Sequence, residues 1–163
     1  MKRIWQAYGK GRPLPGYLLA IASYTALVGV VSAAGRLKGV RLPDRFSLAD
    51  TALVAVATHK ASRLLTKEAV TSPLRAPFTR YEEPAGHAEL KESVRSDHPA
   101  QHAIGELLTC PFCMSVWVAS TLTAGQLLWP RATRTAMGAL TALAGADALQ
   151  LTYSALVDKT TGE

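Results

Sequence analysis

Cysteine is scarce in this chain: two residues, Cys110 and Cys113, in a length of 163. That excludes the disulfide framework on which small secreted domains rely. Aromatic residues make up 7% of the chain, and they do not interleave with a basic patch. The formal net charge of +6 therefore does not point to nucleic acid. A phosphate-cradling glycine loop, a dinucleotide fingerprint, a nucleophile elbow and a paired-carboxylate pattern are all missing. No motif assigns an enzymatic activity.

Apolar residues, by contrast, form 48% of the chain, many of them alanine. Mean hydropathy is +0.11 in spite of 18 Lys and Arg and 12 Asp and Glu. This balance suits helices that pack closely in lipid, with the basic residues gathered in cytoplasmic loops. The expected fold is all-α: one membrane domain over 1–163, an integral bundle of about four transmembrane helices with a cytoplasmic connector of short helices. The length is that of a single domain.

Residues 14–34 contain no charged side chain. About 20 apolar residues at about 1.5 Å each cross a hydrocarbon core, so this stretch is read as the first span. A signal peptide is the alternative, because Lys2, Arg3, Lys10 and Arg12 precede the run and Val31-Ser32-Ala33 suits a signal peptidase. The run is longer than the usual apolar core of about 7–15 residues, which favours an anchor that stays. Ser47 is an N-cap candidate with Asp50 three residues on. Residues 48–65 are read as the second span. His59, Lys60 and Arg63 near its end leave an interfacial amphipathic helix as the alternative.

The connector, 66–109, contains Pro73, Pro77, Pro84 and Gly86 and cannot be one long helix. Short helices are expected at 88–95 and 99–108, the second started by Asp97-His98-Pro99. Arg75 and Arg80 read as solvated loop charge, and His87 as exposed. The third span is placed at 112–129, with Trp117 and Trp129 near its ends. After a tight hairpin at Pro130-Arg131-Ala132, the fourth span covers 135–157 and Asp158-Lys159 ends it. Gly138, Ala142 and Ala146 give that helix a small-residue face suited to self-association or a protein partner. With Lys60 and Arg63 counted at the connector end, 12 Lys and Arg lie with the termini and connector and 6 in the two opposite loops. Both termini and the connector are thus expected in the cytoplasm, in a multi-pass protein of the cytoplasmic membrane.

The segment His59-Lys-Ala-Ser-Arg-Leu-Leu-Thr-Lys-Glu-Ala-Val-Thr-Ser-Pro-Leu-Arg75, then Gly105-Glu-Leu-Leu-Thr-Cys-Pro-Phe-Cys113 and Trp117-Val-Ala, resembles an uncharacterised family of small bacterial membrane proteins, domain of unknown function 1360. The resemblance runs from about Ser47 to Tyr153. It implies a helical protein of the bacterial inner membrane and brings no activity, cofactor or catalytic residue.

Two groups of residues could carry chemistry. Cys110 sits where the third span begins, and a helix N-terminus stabilises a thiolate. Cys110 and Cys113 could therefore be a redox pair, although no βαβ pattern or second cysteine pair accompanies them. Zinc is the other use: His98 and His102 lie four apart and, with Cys110 and Cys113, would supply four ligands, with Glu106 a further donor. The remaining reading is structural, with two small thiols where a helix enters the bilayer. The second group is intramembrane. Asp147 lies about 20 Å below Arg134 and His59 about 17 Å below Leu48 along their helices, so Asp147 is expected to pair with His59, Lys60 or Arg63. The function expected is that of a non-enzymatic scaffold or interaction protein in the lipid bilayer, with a membrane thiol-redox or zinc-binding protein as the alternative.

Overall fold

A computed structural model of the chain describes Tyr8 and residues 12–95 and 98–161. Lys2, Arg3, Lys10 and Asp97, used above, lie outside the described residues, as does the end of the tail. Within them are six α-helices: α1 (Leu14–Leu37), α2 (Leu48–Thr66), α3 (Ser72–Arg75), α4 (Pro99–Thr109), α5 (Pro111–Leu128) and α6 (Pro130–Thr161). An antiparallel hairpin of β1 (Thr79–Pro84) and β2 (Leu90–Val94) lies between α3 and α4.

Local chemistry accounts for the helix ends. Pro13 is the N-cap of α1, and Pro15 follows in its first turn, where a missing N–H costs little. Ser47 caps α2: its Oγ accepts from the Asp50 amide at 3.0 Å and donates to Asp50 Oδ2 at 2.7 Å. Pro99 and Pro111 each stand at the start of a helix. Pro111 also ends α4, so α4 and α5 meet at 83° rather than forming one rod.

Helix α2 is central, packed against both α5 and α6. Helix α1 runs alongside α5 in the same direction. Tyr24 meets Trp117 edge-on with ring centroids 5.2 Å apart and shares a 2.6 Å hydrogen bond with Ser120. Further along, the Lys38 ammonium lies 4.8 Å from the Trp129 ring centroid. Helices α2 and α6 run the opposite way, tied by Asp50 to Arg134 (2.8 Å) at one end and by Lys60 to Asp147 (2.8 Å) towards the other. The connector and the starts of α1 and α5 therefore share one end of the bundle.

The interior is small and polar. Its buried apolar side chains among the described residues are Ala57, Ala103, Met114, Val118 and Met137. Thr58, Lys60, Ser62, Thr66, Arg75 and Thr79 are buried with them. Ser62 and Thr66 satisfy themselves by donating to the carbonyls of Thr58 (2.6 Å) and Ser62 (2.7 Å). The large apolar side chains point outward: Leu18, Leu19, Ile21 and Val30 of α1 are all more than half exposed, as are Leu149 and Tyr153 of α6. The accessible surface is 11431 Å², against about 7,900 Å² for a compact water-soluble monomer of this mass.

Several expectations need correction. The chain is mostly helical but not all-α. Within the stretch 88–95, expected to be helical, Leu90–Val94 forms β2, because it pairs with Thr79–Pro84 across a turn held by Ala85 N to Glu89 O (2.9 Å). The first helix reaches Leu37 and the last reaches Thr161. Of the four expected spans, α1 alone is long and apolar enough to cross a membrane by itself. The bent pair α4–α5 would add a second if counted as one span. Asp50, Lys60 and Arg63 dilute α2, Ser115, Thr121 and Gln126 dilute α5, and Arg131, Arg134 and Asp147 dilute α6. The small-residue face of α6 points away from the bundle, and a Cβ on Gly138 would meet nothing within 4 Å.

Gly16 is where α1 touches α4. A Cβ there would stand 2.3 Å from the Pro99 carbonyl oxygen and 2.7 Å from Ala103 Cβ. Gly16→Ala is expected to force the two helices apart at a cost of about 1–3 kcal/mol, whereas Gly29→Ala, with open space at its Cβ, should be neutral or slightly stabilising. Thermal midpoints of the two variants in detergent check this. Equal midpoints would mean that the α1–α4 contact is not held in solution.

Candidate functional site

Three polar clusters lie at the connector end of the bundle. The first is the thiol bend. Cys110 is the N-cap of α5, in extended conformation, and its Sγ accepts from the Cys113 amide at 3.3 Å. Both cysteines are free; Cys113 is exposed and Cys110 partly so. Glu106, one turn back on α4, accepts from Arg12 Nη1 at 3.0 Å and from the Tyr17 hydroxyl. His102 Nε2 lies 3.4 Å from the same carboxylate. Glu106 thus fastens the start of α1 to α4.

The proposed zinc ligands are not gathered. His98 turns its Nδ1 onto the Ala100 amide as the N-cap of α4 (3.2 Å), and His102 faces Glu106. Among the described residues no three His, Cys, Asp or Glu side chains converge as a metal site. Pro111 sets α5, which carries Cys113, at 83° to α4, which carries His102.

The second cluster surrounds Lys60. Its stem is buried, and its ammonium reaches Asp147 Oδ2 at 2.8 Å and also Glu68. Of the three bases expected for Asp147, the structure brings Lys60 to it. Arg63 instead donates to Glu89 of the hairpin, from Nε at 3.0 Å. His59 lines a half-open cavity of about 1100 Å³ between the end of α2, the hairpin turn and α6, together with Arg63, His87, Glu89 and Asp147. The hairpin turn is held over α2 by Ala69 N to Ala88 O (2.9 Å) and Leu90 N to Lys67 O (2.8 Å).

The third cluster escapes a reading of the sequence. Arg75 is not a solvated loop charge: it is fully buried and paired through Nε with the equally buried Glu92 of β2. Its Nη1 donates to the carbonyls of Leu65 and Glu68, both at 3.1 Å, and to Thr71 Oγ1 at 2.7 Å. Thr79 Oγ1 adds a bond to the Arg75 carbonyl at 3.0 Å. One guanidinium therefore closes the C-terminus of α2 and joins it to the hairpin. Arg80 is exposed, as expected of loop charge. On the hairpin's outer face Lys91 sits 2.6 Å from Glu83, which lowers the Glu83 carboxyl below its ordinary range and raises the lysine.

The cluster geometry supports chemistry of two kinds: charge pairing that fixes helix register, and thiol exchange at the bend. No curated protein and no solved structure matches the chain. A family model does match, over residues 53–153, which takes in the buried arginine, the lysine cluster, both cysteines and Asp147. On that match, which spans more than half its length, the chain belongs to the family described as protein of unknown function (DUF1360).

Proposed function

We propose that this chain is a multi-pass protein of the cytoplasmic membrane that acts without catalysis, as a scaffold packing against a partner or itself. In this reading α1, α2, α5 and α6 are the four membrane helices. The connector, with α4 lying across the bundle base, is cytoplasmic. The observation that carries it is the inverted distribution of side chains: small and polar residues inside, large apolar ones outside, most plainly on α1. Water penalises that surface at about 25 cal/mol per Å² of apolar area; lipid does not.

The spacing of the charge pairs supports the same reading with a condition. Thirteen residues separate Arg134 from Asp147, about 20 Å along α6, which is less than a hydrocarbon core of about 30 Å. One ion pair must then sit below the headgroups. The cavity beside Lys60 and Asp147 opens to solvent and gives that pair water, the usual setting of ionisable residues at such depth.

The test uses single cysteines in a Cys110→Ser, Cys113→Ser background. Leu42, 77% exposed in the α1–α2 loop, and Ala85, exposed at the hairpin turn, are each replaced by Cys and treated with a membrane-impermeant maleimide. Labelling of Leu42→Cys in intact cells, and of Ala85→Cys only after permeabilisation, is expected. Release of the chain by alkaline carbonate, or labelling of both positions from the same side, would overturn the reading.

A further inference from the structure

We propose that Cys110 and Cys113 are a redox-active dithiol, closing to an intrachain disulfide by exchange with low-molecular-weight disulfides, with Cys110 as the attacking thiolate. This goes beyond the membrane reading and does not rest on it, since thiol exchange is read on the purified chain.

Three observations converge on the pair. The cysteines occupy the N-cap and third residue of α5, so one helical turn brings their side chains together, and the Cys113 amide already lies 3.3 Å from Cys110 Sγ. The 83° break at Pro111 removes α4 from the axis of α5, and the Cys113 amide in the first turn of α5 is directed at the cap sulfur. Finally, neither sulfur is sealed in the core: Cys113 is exposed, Cys110 is partly exposed, and Phe112 between them is 87% exposed.

Exposure and electrostatics rank the two thiols oppositely. Cys113 is the more accessible. Cys110 Sγ has the Cys113 amide as donor and stands at the N-cap, the positive end of α5, a setting that favours a thiolate. Electrostatics prevails, because the thiolate is the reacting species.

The exchange balances as follows. The Cys110 thiolate attacks one sulfur of the small disulfide; its S–S bond breaks and the first thiolate leaves with the electron pair. Cys113 then loses its proton and attacks the Cys110 sulfur of the mixed disulfide, expelling the second thiolate. The two protons lost by Cys110 and Cys113 end on the two leaving thiolates. The chain is oxidised by two electrons and the small disulfide is reduced to two thiols.

The experiment equilibrates the purified full chain in detergent with mixtures of oxidised and reduced glutathione, counting free thiols by maleimide mass-tagging. Both thiols should disappear together, with no glutathione left attached. Cys113→Ser should take up one glutathione several-fold faster than Cys110→Ser, because the larger thiolate fraction at the capped sulfur outweighs its lower intrinsic nucleophilicity. Limiting alkylation of the unaltered chain, with the modified peptide identified by mass, gives the same ranking without a variant. Accumulation of glutathione adducts without an intrachain disulfide would overturn the proposal, as would equal reactivity of the two thiols or faster reaction at Cys113.

Discussion

Arg75→Met is expected to be among the most damaging single changes in the protein. It removes the partner of a carboxylate that is 4% exposed, and breaking a buried ion pair from one side typically costs about 3–5 kcal/mol. It also strips hydrogen bonds from the carbonyls of Leu65 and Glu68 at the end of α2. Arg75→Lys should recover only part of the loss, because an ammonium cannot reproduce the planar fork that reaches Glu92, two carbonyls and Thr71 together. The double change Arg75→Met, Glu92→Leu should be milder than either single change, since no buried charge is then left alone. It should not be silent, because the two carbonyls still lose their donor. Thermal midpoints and protease resistance of the hairpin, measured for all four variants in detergent, check this ordering. Strict additivity of the two single changes would mean that the pair is not coupled.

Lys60→Met is the second. Here two carboxylates, Glu68 and Asp147, would be left facing each other without their shared cation. Asp147 is 48% exposed towards the cavity, so the buried-pair figure is discounted for solvent to about 2–3 kcal/mol. Asp147→Asn should cost less, because Lys60 keeps Glu68. The order Lys60→Met worse than Asp147→Asn is the discriminating result, read as midpoint shifts in detergent. If Asp147→Asn were equally damaging, Glu68 would not be sharing the ammonium, and the junction between α2 and the connector would be held by Arg63 and Arg75 without Lys60.

Both changes strike where α2 joins the connector. Lys60 ties α2 to α6 and to Glu68, Arg63 ties α2 to the hairpin turn, and Arg75 ties the end of α2 to β2. The three basic residues lie within a stretch of 16 positions. Their charges are register pins for three different elements, and all three lie within the residues matched by the family model.

Much of the helical layout was legible in the chain itself. The uncharged run from Leu14 is read from composition, and the Ser47 cap with Asp50 and the prolines at 99 and 111 act over one helical turn or less, so spacing reveals them; the tight hairpin expected at Pro130-Arg131-Ala132 is instead the first turn of α6. The hairpin was not legible. Its strands are short and charged, and the reading of 88–95 as a helix failed because antiparallel pairing with 79–84, not local preference, selects the strand. The Cys-Pro-Phe-Cys motif was visible, but the 83° angle between α4 and α5 at that motif was not.

The sequence by itself determined that helices dominate, where most of them begin and end, and that Asp147 in an otherwise apolar stretch calls for a basic partner, because these follow from apolar run length and from the cost of an isolated charge. Only the tertiary structure decided that the partner is Lys60, that Arg75 is buried against Glu92, and that Glu106 fastens α4 to Tyr17. Each joins residues at least 17 positions apart, and a charged side chain in a sequence reads the same whether it faces solvent or a partner brought there by folding.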